Sequence, residues 1–294
     1  MTVSLTDLSD GLATLVERAG ASVLGVGGAT GFAWTSELAL TSASAMRCER
    51  GTIEVRTPSG EVREGTLLGV DRASDLAVVR VASGGLAPIA RRAETQHARV
   101  GEVVLALGRP GRAIRASQRI VGLVGKDVRA RRGLVLREYV EMDRGFPEGF
   151  VGGPIVDADG ALVGLGTDRV IRGADLAMTP ALLEPLVDSI AKDGRPKLGW
   201  LGIAVQPARL PDRLASDVPH LGGALITAIE NGGPADTAGL AIGDVIVGLD
   251  GAPIETPDAL LARLRLCAEK TITLRLVRGG AITTVPATVG VRPE

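Results

Sequence analysis

Four side chains bound the nucleophilic and metal chemistry open to this chain of 294 residues: His97 and His220 are its two histidines, Cys48 and Cys267 its two cysteines. A structural zinc site draws four Cys or His ligands at close spacing, and here they are scattered singly, so no metal is expected. The cysteines are too far apart to suggest a disulfide framework, which leaves a reducing compartment open. His97 lies in the polar segment RRAETQHARVG and reads as a solvated loop residue. Cys48 stands beside Arg47 and Arg50, but a reactive thiolate also needs a partner base, and the inert reading is favoured. Three strings imitate known sites. Gly25-Val26-Gly27-Gly28 is followed by the strand-like GFAW where a dinucleotide loop requires a helix. Ser189 to Lys192 matches S-x-x-K without its companion strings, and Gly125-Lys126 lacks the spacing of a phosphate loop. No cofactor is expected. Lys plus Arg number 33 against 34 Asp plus Glu, so no basic footprint points to nucleic acid.

The elements that must position any site are legible in the periodicity. Leu8, Leu12, Leu15 and Val16 share one helical face, which predicts a helix over 5–19. From Ser22 to Gly173 the chain breaks into short β-prone runs such as ASVLGV, TIEVRT, LAVVRV, EVVLALG and GGPIV, each bounded by Gly, Pro, Asp or Ser. Such runs at close intervals describe an antiparallel barrel or sandwich. Helical spacing returns over 180–192, PALLEPLVDSIAK, and DGRPK after it suits a linker. Beyond Leu198, short strands surround a helix that Thr256 caps and Pro257 opens, with Leu260, Leu261 and Leu264 on its apolar face. The start of the chain alternates acidic and apolar residues without a basic, then apolar, leader, and no stretch approaches the roughly 18 apolar residues of a membrane span. A soluble, cytoplasmic protein with no membrane partner is expected.

In this order the strings resemble the HtrA (Deg) family over residues 8 to 292. The family's histidine stretch corresponds to Ala39-Leu40-Thr41-Ser42-Ala43-Ser44-Ala45-Met46, with Ser44 at the histidine position. Its DLAV aspartate is matched by Asp75 in Ser74-Asp75-Leu76-Ala77-Val78. Its nucleophile loop corresponds to Pro147-Glu148-Gly149-Phe150-Val151-Gly152-Gly153-Pro154, with Val151 at the serine position. The LALG of Leu105 to Gly108 lies between the second and third strings. The resemblance implies a mainly β fold: an N-terminal helix over 1–20, a chymotrypsin-like double β-barrel over 21–193, a linker at 194–197, and a small α+β PDZ domain over 198–294. Serine proteolysis needs an alcohol, an imidazole that takes its proton and a carboxylate that orients the imidazole. Asp75 alone is retained, with no imidazole to orient, and Gly149 marks a vestigial oxyanion loop.

In the second domain, Leu198 to Gln206 resembles the carboxylate-binding loop and following strand of a PDZ domain. Backbone N–H groups around Leu201, Gly202 and Ile203 would grip a chain terminus, while Ile203 to Val205 would pair with an extended peptide. Leu260 and Leu264 would form the far wall of an apolar pocket, and Trp200 would cover the ligand or pack the domain. The segment from Asn231 through Gly239-Leu240 to Gly243-Asp244-Val245-Ile246 resembles the family's P-A-x-x-A-G-L-x-x-G-D-V-I string most closely. The implied partners are protein C-termini or exposed apolar segments.

The expectation on these residues is a catalytically inactive HtrA homologue, not an enzyme, that binds peptides as a scaffold or regulator. The alternative is an active HtrA-type endopeptidase with a nonstandard nucleophile, Cys48 or a displaced serine, or a chaperone-like holdase. The family's trimers use aromatic contacts near the N-terminus, and no aromatic precedes Phe32, so the oligomeric state stays open.

Overall fold

The protein is described by a computed structural model that covers residues 4–46, 52–93, 96–130, 134–265 and 267–291. Two compact units divide the chain, Met1–Pro196 and Lys197–Glu294.

The first unit opens with α1 (Leu5–Gly20). Ser4 caps it by accepting from the Asp7 amide at 3.0 Å, while the Asp7 carboxylate accepts from the Ser4 amide at 3.2 Å, so two of the four orphan donors at the helix start are satisfied. Six strands then close a barrel in the order β1 (Val23–Val26), β2 (Ala29–Ala33), β3 (Leu38–Ser42), β6 (Leu76–Arg80), β5 (Val62–Asp71), β4 (Thr52–Arg56). A second closed barrel runs β10 (Pro154–Val156), β11 (Leu162–Thr167), β12 (Leu176–Met178), β9 (Val135–Met142), β8 (Arg115–Arg129), β7 (Val103–Gly108). β4 alternates buried and exposed positions, as a strand with one wet face must, whereas β2 and β11 are buried throughout. Leu15, Phe32, Leu40, Leu76, Leu107, Leu165 and Met178 belong to one apolar cluster, so α1 and both barrels share a core. The unit ends on α2 (Pro180–Asp193), which Gly194 terminates at φ 72°.

The second unit is an open antiparallel sheet. Its order is β14 (Ile203–Arg209), β15 (Gly222–Ile229), β16 (Val245–Leu249), β18 (Thr271–Arg278), β19 (Ala281–Thr288), with β17 (Ala252–Pro253) hairpinned onto β16. A separate pair joins β13 (Gly199–Trp200) to β20 (Gly290–Val291). The helices are α3 (Pro234–Thr237) and α4 (Pro257–Leu264); Thr256 caps α4 by accepting from the Ala259 amide at 3.3 Å.

Candidate active site

Asp75 stands in the turn between β5 and β6 at φ 57°, a left-handed conformation that a short polar side chain tolerates. The turn is held from below by Asp71, whose carboxylate accepts from the Ser74 hydroxyl at 2.7 Å and the Ser74 amide at 3.2 Å. The Asp75 carbonyl accepts from the Ala43 amide at 2.9 Å, which ties the turn to the end of β3. Asp75 is 3% exposed, and a buried carboxylate must have its lone pairs filled. Its Oδ2 accepts from the Ser42 hydroxyl at 2.6 Å and from the Thr167 hydroxyl at 2.8 Å, and its Oδ1 accepts from the Ser44 amide at 2.8 Å.

A direction of proton transfer follows from this count. The Ser42 and Ser44 hydroxyl oxygens are 2.9 Å apart. A serine has one O–H, and that of Ser42 is committed to the carboxylate, so Ser44 donates to Ser42. Ser44 is exposed while Ser42 is sealed, so the wire runs from solvent through Ser44 and Ser42 to Asp75.

The glycine turn lies in the loop that precedes β10. Gly149 and Gly152 both take φ 87°. A Cβ on Gly153 would stand 2.1 Å from the Leu107 carbonyl oxygen, and one on Gly152 2.5 Å from that of Thr30, so neither position admits a side chain. The Gly152 amide donates to the Gly166 carbonyl at 2.8 Å and that of Gly153 to Phe150 at 2.9 Å. Phe150 is buried in the core of the second barrel and anchors the turn from inside. Among the described residues no backbone carbonyl takes the amides of Gly149 and Val151. A cavity of about 460 Å³ opens between Thr30, Ala45, Pro110, Glu148, Gly149 and Val151.

The structure thus brings together Asp75 and Ser44, and it places Gly149 and Val151 on one turn facing a shared cavity. Sequence reasoning missed Ser42 and Thr167. The available signal was the run of hydroxyls Thr41, Ser42 and Ser44 at the end of β3, of which the first two are buried and the third is exposed. His97 is 71% exposed and 3.3 Å from Glu138, outside the Asp75 cluster. His220 accepts from the Gly222 amide at 3.2 Å in the second unit. Cys48 lies outside the described residues; Cys267 is half-buried, and burial pushes its thiol up. Among the described residues no cluster of His, Cys, Asp and Glu is fit to hold a metal.

In the second unit β14 is an edge strand, with Ile203 and Val205 half-buried on one side. Gly202 takes φ 72°, and a Cβ there would stand 3.1 Å from the Trp200 ring, so the indole packs over the loop. Leu260 and Leu264, expected on the far wall of an apolar pocket, lie in the core cluster against which Ile203 and Val205 pack. Both leucines are buried, 0% and 3% exposed, in the cluster that holds Leu201, while Leu261 is the exposed leucine of α4. They back the site from the core.

Two closed barrels followed by this α+β unit define the class: residues 29–165 match the trypsin-like peptidase domain, and residues 225–278 match the PDZ domain. Similar curated proteins are named "Probable periplasmic serine endoprotease DegP-like". The one from Chlamydia pneumoniae is 28% identical over 84% of this chain and 51% of its own length. That from Ectopseudomonas mendocina is 30% identical over 82% of this chain and 52% of its own. The chain spans about half the length of these relatives. Among solved structures, the HtrA-type protease AlgW with a tripeptide is 25% identical with TM-score 0.75, covering 96% of this chain and 97% of that one. The serine endoprotease of Yersinia pestis, at 22% identity and TM-score 0.75 over 100% of both chains, shares the fold. The chain joins a trypsin-like peptidase domain to a PDZ domain and is a homologue of the DegP/HtrA proteases.

Two expectations are corrected by these relatives. That the chain is not an enzyme is overturned by relatives named as serine endoproteases, and a cytoplasmic location by relatives named as periplasmic.

Proposed function

We propose that this chain is a periplasmic HtrA-type endopeptidase in which a displaced serine, Ser44, serves as nucleophile and the PDZ domain captures substrate chain ends. The observation that carries the reading is the hydroxyl wire from exposed Ser44 through Ser42 to buried Asp75. In this scheme Ser44 Oγ bonds to the carbonyl carbon of the scissile peptide, and the carbonyl electron pair moves onto oxygen, which the Gly149 and Val151 amides receive. The Ser44 proton passes to Ser42 as the Ser42 proton passes to Asp75. A water molecule protonates the leaving amine as the C–N bond breaks, and the hydroxide left behind is the nucleophile for the ester. The proton held on Asp75 returns through Ser42 to Ser44 Oγ as that ester bond is cleaved.

A carboxylate is a poorer match to an alcohol proton than an imidazole, and a matched base contributes about 10²–10⁴-fold. Turnover is therefore slow relative to a protease with a His base. The PDZ domain implies peptide binding, and we assign its ligands as C-termini ending in an apolar residue, taken up along β14 from Ile203 to Val205.

The test is fluorophosphonate labelling with mapping by mass spectrometry, alongside casein hydrolysis by the wild type, Ser44→Ala and Ser42→Ala purified in parallel. Label on Ser44 and loss of hydrolysis in both variants are expected. Hydrolysis that survives Ser44→Ala, or no label at all, overturns the reading.

A further inference from the structure

Arg109 follows directly on the last residue of β7 and is 5% exposed. Its guanidinium meets backbone carbonyls: Nε donates to Val23 at 2.8 Å, Nη1 to Arg112 at 2.8 Å and Nη2 to Gly20 at 3.2 Å. Among the described residues it has no carboxylate partner. A buried cation without a counter-charge is costly, and an apolar side chain of the same length would fill the space more cheaply. Gly20 is the last residue of α1, whose C-terminal carbonyls carry the negative end of the helix dipole, which explains how the charge is tolerated.

The same residue reaches the glycine turn. The Arg109 amide donates to Thr30 Oγ1 at 2.8 Å, and that hydroxyl donates to the Gly149 carbonyl at 2.5 Å. Thr30 is fully buried, so its bond from the Arg109 amide is shut away from solvent. Carbons of Pro110 lie 2.8 Å from where a Gly149 Cβ would stand, and Ile114 lies 2.8 Å from where a Gly20 Cβ would stand. The segment from Arg109 to Ile114 is wedged between the end of α1 and the turn that presents the Gly149 and Val151 amides.

We propose that Arg109 is a positioning residue that locks the glycine turn to the docked N-terminal helix, so that displacement of α1 is read out as loss of aim of the Gly149 and Val151 amides. The inference rests on that turn belonging to the functional site, as proposed above. It makes the seat of α1 a regulatory contact. A pull on the helix, whose first turns leave Leu5 86% and Leu8 53% exposed, passes through Gly20, Arg109 and Thr30 to Gly149.

The experiment is hydrogen–deuterium exchange on the full chain, comparing wild type with Arg109→Met, Arg109→Lys, Thr30→Val, Leu15→Ala and the Arg109→Met/Leu15→Ala double variant. Leu15 is 5% exposed in the shared core, so its truncation loosens α1. Exchange in peptides covering 146–153 is expected to rise about tenfold in Arg109→Met, Thr30→Val and Leu15→Ala, with Arg109→Lys intermediate and the second unit unchanged. The double variant is expected to exchange no faster in that segment than Arg109→Met alone, the signature of two residues acting through one contact. Wild-type exchange over 146–153 in Arg109→Met, or additive effects of Leu15→Ala and Arg109→Met, overturns the proposal. Should Arg109→Met fail to fold, Arg109→Lys and Thr30→Val decide it. A wild type that neither hydrolyses casein nor takes the fluorophosphonate removes the Ser44 reading and leaves the exchange result standing on its own.

Discussion

Ser42 donates its hydroxyl to Asp75 at 2.6 Å, and both residues are shut away from water. A hydrogen bond to a charged group contributes about 1.5–3 kcal/mol, and removing the donor leaves a buried charge short of one partner. Ser42→Ala is expected to lower the stability of the first unit by about that amount, read from the urea midpoint, and Thr167→Val similarly. An unchanged midpoint in both would mean that the cluster does not hold the barrels together.

The second prediction concerns the base. Placing an imidazole at Ser44 and an alcohol on the glycine turn, as Ser44→His with Val151→Ser, supplies the two groups the turn and Asp75 are arranged to serve. Casein hydrolysis is expected to rise about 10²–10⁴-fold over the wild type, with the fluorophosphonate label now on the introduced serine. A double variant no faster than the wild type would show that the turn does not present its amides to a carbonyl oxygen.

Glycine positions separate sharply. Gly153→Ala must displace the Leu107 carbonyl, 2.1 Å from the new Cβ, and is expected to cost more than about 4 kcal/mol or to prevent folding. Gly11 sits mid-helix in α1 with nothing within 4 Å, so Gly11→Ala is expected to stabilise by about 0.5–1 kcal/mol. Thermal melts of the two variants check the contrast, which reverses if the turn can shift to admit a methyl group.

In the second unit Arg278 reaches Asp244 through Nη2 at 2.6 Å and Nε at 2.8 Å, and this pairing holds the carboxyl below its usual value of 3.8. A carboxyl whose pKa is lower folded than unfolded adds stability above the unfolded value and loses it as pH falls through the folded one. The melting difference between wild type and Arg278→Met is therefore expected to be constant near neutrality and to shrink below about pH 4. Trp200 fluorescence in a Trp34→Phe background follows this unit. A difference independent of pH down to 2.5 would assign the pair no role in acid stability.

Much of the scaffold was legible because local signals carry it. The helix expected over 5–19 is α1 at Leu5–Gly20, the spacing over 180–192 is α2 at Pro180–Asp193, and Thr256 caps α4 as its position before Pro257 implied. The site was legible only in part. Asp75 stood in a string, but its partner Thr167 is 92 residues away, and Arg109 to Thr30 spans 79, separations at which neither periodicity nor motif reports contact. The groove of the second unit shows a different gap. Helical spacing puts Leu260 and Leu264 on one face, yet it does not say whether that face meets solvent or core, and here it meets the core.

The two units also differ in their exposure to unwanted pairing. Each barrel closes on itself, so its strands have a neighbour on either side except where the β8–β9 hairpin runs past the β7–β8 pairing and the single β12–β9 pair at Leu176 and Glu141. The second unit keeps two open borders, β14 and β19, and each carries a proline, Pro207 and Pro286, that deletes one N–H from its row. On β14 the interruption falls after Gln206, which limits an added ladder to about four residues and sets a ceiling on how far fibril-like growth can run along that border.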